Sequence, residues 1–385
     1  MKKNIISCKI ISIKKCRDYI LTPEMQSCIV TGMANKKIKA AVFSLILCCN
    51  LAFCLDSPRQ KKVKILPFPV FGYSPETGTY VGAVTLLTLN AYNDISTRTS
   101  NAKLEFNYTW KKQIILEGEW NYFFKKEKWF SKGKIHYSKY PDYYYGIGGD
   151  TPPDNKAIFD SNRFLFAISA LKKVGPDLFT GFNMQYSGYS SVGSVEESAA
   201  YPELEDGASF GIGYSLLRDT RNSLLTPTRG AYTYFRISYN LSEKNYWKMT
   251  LDTRYYKTWK SRITLAVRAV NDLRFGNPPF FDHAFLGGDQ FVRGYYYGRY
   301  RDKNLSSLQT EIRFPLFWKF GAALFGGLSS LYSGNHPFNL KSIKYNIGLG
   351  IRFLVDKGDG TNLRMDYAVG QDNNDGFYMS FGESF

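Results

Sequence analysis

Hydrophobic and polar positions alternate along most of the chain. Segment 103–110, KLEFNYTW, puts Leu104, Phe106, Tyr108 and Trp110 on one face and Lys103, Glu105, Asn107 and Thr109 on the other. Segment 343–353, IKYNIGLGIRF, sets Ile343, Tyr345, Ile347, Leu349, Ile351 and Phe353 against Lys344, Asn346, Gly348, Gly350 and Arg352. Period-two alternation of this kind predicts half-buried β-strands, and no long stretch carries a helical period. The pattern predicts about sixteen strands: 79–92, 99–110, 112–124, 128–139, 143–149, 160–173, 177–190, 207–217, 229–241, 246–259, 261–273, 305–314, 318–330, 343–355, 361–370 and 376–385.

Strands of about ten residues are long enough to cross a bilayer at a tilt. A soluble sandwich needs a second apolar layer to cover its inner face. Here the polar faces are rich in Arg, Glu, Asn and Gly, as the wall of a wet lumen would be. The expected fold class is therefore all-β, a transmembrane antiparallel β-barrel. Connection lengths agree with one long-loop end and one short-turn end. YNDIST, DTPPDNKAIF, 191–206, 274–304 and YSGNHPFNLKS follow odd-numbered strands, whereas WKK, VGPD, WKSR and FPLFWK follow even-numbered ones. The 218–228 connection is the long exception, and the parity places both termini in the periplasm and 274–304 outside.

Composition changes the picture mainly at the N-terminus. The formal charge is +17, but residues 1–54 hold nine Lys/Arg and two Asp/Glu, which leaves 41 against 31 in the remainder. All six cysteines (Cys8, Cys16, Cys28, Cys48, Cys49, Cys54) also lie in that segment, so neither a disulfide framework nor a thiolate metal site is available in residues 55–385. From Met33 the sequence MANKKIKAAVFSLILCCNLAFC gives a basic n-region, an apolar run and Ala52-Phe53-Cys54. That order predicts a secretory signal cleaved after Cys54, with Met33 as a candidate start. A spanning helix needs ~20 apolar residues, more than this run supplies. LAFC hints at lipidation of Cys54, and the bulky Phe53 argues against it. The expected organisation is an extension and signal over 1–54, a short periplasmic lead-in over 55–78, and a barrel over 79–385.

Chemical signatures are sparse. His136, His283 and His336 fall in separate segments, and no serine sits in a nucleophile-elbow context. GIGGDTPPD and GLGIRF are glycine-rich but lead into no helix, so a phosphate cradle is not expected. No enzyme activity, cofactor or metal is expected. Aromatic residues interleaved with Lys and Arg can stack nucleic-acid bases. A secreted chain meets lipopolysaccharide and anionic headgroups instead, which satisfy the same charge, so lipid and not nucleic acid is the expected partner.

One stretch concentrates glycines, arginines and aromatics: FLGGDQFVRGYYYGRYR, residues 285–301. Its glycines permit close backbone approach, and Arg293 offers a planar charged fork. GGDQFVRGY (287–295), RDTRNSLLTPTRG (218–230) and LRMDYAVGQDNNDGFYMSFGESF (363–385) together resemble the BamA/TamA superfamily, the bacterial surface-antigen family of outer-membrane assembly and translocation barrels. The resemblance covers residues 65–385. It implies a sixteen-stranded barrel in the outer membrane of a Gram-negative-type bacterium, with the loop tip Val292-Arg293-Gly294-Tyr295 folded back into the lumen.

An arginine in a lumen needs a carboxylate. By strand parity Glu311 and Asp366 face the polar side and are the candidate partners. The family's Phe-x-Asp-x-Gly strand reads LFGGLSS here, with Gly327 where the acid would stand. The resemblance also implies a lateral seam between strands 79–92 and 376–385, weakened by Gly376 and Gly382. Phe377, Met379, Phe381 and Phe385 are expected to point outward, a terminal aromatic strand of the kind that the outer-membrane assembly machinery reads by strand addition during biogenesis. About 24 residues between the signal and the first strand leave no room for POTRA modules, which a separate periplasmic partner could replace. The function implied is insertion or translocation of protein or lipid through the seam. The alternative is a passive pore or structural surface antigen with no client.

Overall fold

The computed structural model describes residues 63–74, 78–92, 96–110, 112–194, 201–260, 262–289, 291–356 and 360–385. The predicted signal and Cys54 lie outside the described residues. The strands are β1 (Val63–Ser74), β2 (Gly78–Leu89), β3 (Ser100–Thr109), β4 (Ile114–Phe123), β5 (Trp129–Tyr144), β6 (Ala157–Gly175), β7 (Leu178–Ser194), β8 (Gly207–Asp219), β9 (Gly230–Leu241), β10 (Tyr246–Trp259), β11 (Ile263–Gly276), β12 (Ala284–Leu286), β13 (Tyr300–Asp302), β14 (Asn304–Pro315), β15 (Phe320–Tyr332), β16 (Lys344–Asp356), β17 (Thr361–Gly370) and β18 (Asp375–Phe381). Sixteen of them form one antiparallel meander in chain order, and β12 and β13 pair separately as a small hairpin inside the β11–β14 connection.

The sheet is inside out relative to a soluble protein. Tyr345, Ile347, Leu349 and Ile351 on β16 are exposed, whereas Lys344, Asn346 and Arg352 on its other face are buried. The same inversion puts Leu104, Phe106 and Tyr108 outward on β3, and Phe182, Met184 and Tyr186 outward on β7. Exposed Trp110, Trp247 and Phe275 lie at the long-loop rim, with Trp129, Trp259, Phe317 and Trp318 at the short-turn rim. An apolar outer band bounded by two aromatic girdles around a polar interior is the arrangement a bilayer selects. No helix among the described residues is long and apolar enough to cross a membrane, and the strands do the crossing.

Two strand assignments are corrected, and their errors cancel in the count. Residues 63–74, assigned to the lead-in, form β1, paired along its length with β2 from Val63↔Leu89 to Ser74↔Gly78. Pro67 and Pro69 hide this strand from a reading of alternation, but proline is tolerated at a sheet edge, where its missing N–H is not needed. Conversely, 143–149 is no separate strand: β5 runs on through Pro141 to Tyr144 and pairs with β6 throughout. The parity of the first connections therefore inverts. YNDIST, after β2, belongs to the short-turn end, and WKK, after β3, to the long-loop end. From β6 onward the expected parity holds, and the 277–303 loop emerges at the end carrying the 145–156, 195–206 and 333–343 loops.

Candidate functional site

The loop between β11 and β14 turns back into the barrel, and its tip is held by charge. Arg293, Glu311 and Asp366 are 1%, 0% and 0% exposed, respectively. Arg293 Nη2 donates to Glu311 Oε2 at 2.6 Å, and Nη1 donates to Asp366 Oδ2. Below the guanidinium lies the Phe325 ring, 3.4 Å from Cζ to centroid. Phe325 belongs to the very strand whose expected acid is replaced by Gly327, so an aromatic face serves that wall in place of a carboxylate. Strand parity brought Arg293, Glu311 and Asp366 together correctly.

Sequence reasoning missed the rest of the cluster. Glu311 also accepts from Arg313 (2.7 Å) and Arg352 (3.1 Å), and Asp366 from Arg352 (2.5 Å) and Arg364 (2.8 Å). Glu383 and Asp289 complete it, through Arg352 at 2.8 Å and Arg364 at 3.0 Å. Four arginines thus meet four carboxylates. Burying charges is tolerable only when each is paired and hydrogen-bonded, and this network is balanced in sign. The signal was present as Glu-x-Arg at 311–313 and Arg-x-Asp at 364–366, since residues two apart on a strand share a face.

Backbone and tyrosine contacts fix the tip further. Gly294 adopts φ +99°, and a Cβ there would lie 2.9 Å from the Val369 carbonyl carbon. Its N–H donates to the Tyr378 hydroxyl at 3.0 Å, while Asn346 Nδ2 donates to the Arg293 carbonyl at 2.8 Å. Val292 is fully buried beside Tyr295, Tyr300, Leu305 and Leu331. Three consecutive tyrosines then reach three parts of the wall. The Tyr295 hydroxyl donates to the Tyr345 carbonyl on β16 and accepts from Gln371 N–H; the Tyr296 hydroxyl donates to Asp142 on β5; the Tyr297 hydroxyl accepts from Arg163 on β6. The loop consequently spans the lumen.

A second anchor lies at the loop's entry. Asp282 accepts from Lys248 Nζ at 2.7 Å and from the Tyr246 hydroxyl, and Arg274 donates to its carbonyl at 2.7 Å. Burial raises the carboxyl's pKa, but Lys248 and Arg274 outweigh it and hold Asp282 below the usual range. Beside it, burial and then the charge of Arg274 push His283 down to about 4. The three histidines stay in separate settings: His136 hydrogen-bonds Glu117 and Ser138, His283 is buried at the loop entry, and His336 contacts Asp302.

At the short-turn end the 220–229 connection and residues 382–385 close over the lumen. Asp219 pairs bidentately with Arg221, and Gly230 takes φ +103° where a Cβ would strike the Thr220 carbonyl. Gly382, at φ +79°, turns the chain inward, so that Glu383 N–H donates to the Leu225 carbonyl at 2.9 Å. Arg313 bridges the two segments by donating to the Pro227 and Phe385 carbonyls. Phe385 is therefore not outward as expected: it is buried against Tyr256 and Ala266 on the lumen side.

The seam also differs from expectation. β18 meets β1, not the strand at 79–92, and no backbone ladder joins the two among the described residues. Instead Phe68 stacks on Phe381 with ring centroids 4.4 Å apart, within a cluster of Leu66, Val70, Tyr80, Val84, Leu86 and Met379. Tyr80 and Leu86 line the lumen, and Phe68 and Leu66 share their face by cross-strand pairing. Met379 and Phe381 lie on the face of β18 opposite Tyr378, the face that continues the outer side of β17 through Tyr367↔Phe377. The sheet ends therefore overlap, the outer face of β18 tucked under the inner face of β1 and β2. Phe377 alone of the expected outward aromatics is exposed. Gly376 is the second residue of β18, where a Cβ would strike the Tyr378 ring.

Comparison with known proteins agrees with this architecture. The fold is similar to the crystal structure of BamA from Haemophilus ducreyi lacking POTRA domains 1–3, with TM-score 0.53 and 12% identity over 84% of this chain and 70% of that one. It is also similar to CdiB from Acinetobacter baumannii, with TM-score 0.51 and 12% identity over 83% of this chain and 60% of that one. No curated protein sequence matches the chain. The Omp85 superfamily domain matches residues 89–385, which takes in the locked loop, the turn at 218–230 and β18, and the chain belongs to that superfamily of outer-membrane barrels.

Proposed function

We propose that this barrel assists insertion or translocation of protein, or of lipid, at the outer membrane by parting β1 from β18. The observation that carries this reading is the overlapped, unladdered seam. Elsewhere each strand is tied to its neighbour by a backbone ladder, broken only by bulges in β6–β7 and β16–β17, whereas β1 and β18 are held by the Phe68–Phe381 stack and its aliphatic neighbours. Sliding such side chains apart breaks no hydrogen-bond ladder, and β18 then presents a free edge on which a client strand can pair. With 7 residues against 19 in β6, β18 also shortens the barrel wall at the seam, which favours local thinning of the bilayer. The loop that crosses the lumen argues against a passive pore, because its anchors reach β5, β6, β10, β14 and β17. The reading assigns no bond-making chemistry to any residue.

The test is to reconstitute the protein in liposomes and add an unfolded outer-membrane barrel protein, following its folding by heat-modifiable migration. Faster folding than in empty liposomes is expected. A rate equal to that in empty liposomes favours the structural surface-antigen reading.

A further inference from the structure

The loop lock is balanced in charge, but another part of the lumen is not. Near the short-turn end, three cations gather around one tyrosine. The guanidinium carbons of Arg221 and Arg254 lie 4.4 and 4.9 Å from the Tyr232 ring centroid, and Lys132 Nζ donates to the Tyr232 hydroxyl at 2.9 Å while sitting 4.6 Å from the Tyr234 ring. Arg236 follows two residues after Tyr234 on the same face of β9, and Arg268 joins from β11. These five cations line one compartment of about 620 Å³, which Lys103, Lys134 and Lys248 also line, each beside a carboxylate of its own: Glu105, Glu119 and Asp282.

Among the described residues, two carboxylates pair with these five cations. Asp219 holds Arg221, and Asp252 is shared by Arg254 and Arg268, with contacts of 2.6 and 2.9 Å. Among the described residues, Lys132 and Arg236 have no carboxylate within ion-pairing distance. Among the described residues, the single polar contact of the Arg236 guanidinium is a 3.5 Å bond to Thr250 Oγ1, and its buried Nε has no partner. Within this group the excess is three positive charges, and Tyr232, Tyr234, Asp219 and Asp252 beside it are buried. Half-buried cations with unused donors, grouped around one compartment without matching carboxylates, favour an anion there.

The geometry points to a lumen site for a soluble phosphorylated anion, held by Lys132, Arg236 and the Arg254–Arg268 pair. Guanidinium forks match phosphate oxygens bidentately, and a lysine adds a mobile point charge. A phosphate group carries about two negative charges near neutral pH, so one or two such groups match the excess. The site faces the lumen, away from the lipid-facing band, and lies near the short-turn end. That favours a water-borne ligand over a bilayer lipid. It is independent of the seam and of any client.

The experiment is calorimetric titration of inorganic pyrophosphate into the full chain in zwitterionic detergent, at ionic strength fixed with sodium chloride. Saturable binding is expected, weakened by about tenfold or more in the Lys132→Gln/Arg236→Gln double variant, whose folding is verified by heat-modifiable migration. Lys134→Gln is the control, because Lys134 lines the same compartment but is already paired with Glu117 and Glu119. It should bind within about twofold of the unmodified chain. Absence of saturable heat, equal affinity in the double variant, equal weakening by Lys134→Gln, or the same heat from chloride would each overturn the assignment.

Discussion

Replacing Arg293 with alanine tests the loop lock at its centre. The variant loses two charge-assisted bonds, to Glu311 and Asp366, and the guanidinium over the Phe325 ring. Removing one partner of a buried ion pair costs about 3–5 kcal/mol, mostly from the charge left behind. Here the cost falls at the lower bound, because Glu311 keeps Arg313 and Arg352 and Asp366 keeps Arg352 and Arg364. A loss of about 3 kcal/mol corresponds to about a hundredfold rise in the undocked population. Arg299 and Arg301 in the same loop are buried when it is docked, so trypsin reads the undocking directly. When opening is fast relative to cleavage, the cutting rate follows that population, and cleavage mapped after Arg299 or Arg301 should rise by about two orders of magnitude. Arg293→Lys should lie between, since one ammonium cannot bridge both carboxylates as the fork does. The heat-modifiable folded fraction should fall in the same order. Cleavage within about threefold of the unmodified chain would refute the reasoning, because it would mean that the tip is held without its charge.

Further outcomes follow from other contacts. Gly294→Ala combines a positive φ with a Cβ 2.9 Å from the Val369 carbonyl carbon, so it should loosen the same loop by about 1–3 kcal/mol in the trypsin assay. Between pH 6.5 and 4 the unfolded chain binds a proton that buried His283 refuses, so stability should fall with acidification by up to about 3 kcal/mol. The thermal midpoint in detergent should show that slope, and His283→Gln should flatten it. Phe381→Ala removes the stack on Phe68 and should speed amide exchange across 375–381 while leaving β10 and β11 protected, as read by mass spectrometry.

The strands were legible wherever one face meets lipid and the other meets water, because that environment imposes a strict alternation. KLEFNYTW and IKYNIGLGIRF are such segments, and their exposed and buried faces fall as the periodicity predicts. β1 was not legible. Its prolines at 67 and 69 mimic a lead-in, and an edge strand can carry them without losing needed hydrogen bonds. The continuity of β5 into 142–144 was obscured by Pro141 for the same local reason. In the site, parity along β14 and β17 aimed Glu311 and Asp366 at Arg293. The contact of Arg293 with the Phe325 ring was not legible, since a cation–π contact leaves no charge pattern. The inward turn at Gly382 was equally hidden, because Phe385 continues the alternation in sequence while the backbone leaves the strand.

The central claim is that β1 and β18 separate in use. Phe68→Cys and Phe381→Cys, in a background where the cysteines of residues 8–54 are serine, place two thiols where the rings now stack. A short, reducible bifunctional thiol reagent then ties the seam in the reconstituted protein, and folding of an added barrel protein is timed before and after reduction. The account predicts that the tied barrel loses its acceleration and that reduction restores it. Equal acceleration by the tied and reduced forms would contradict it.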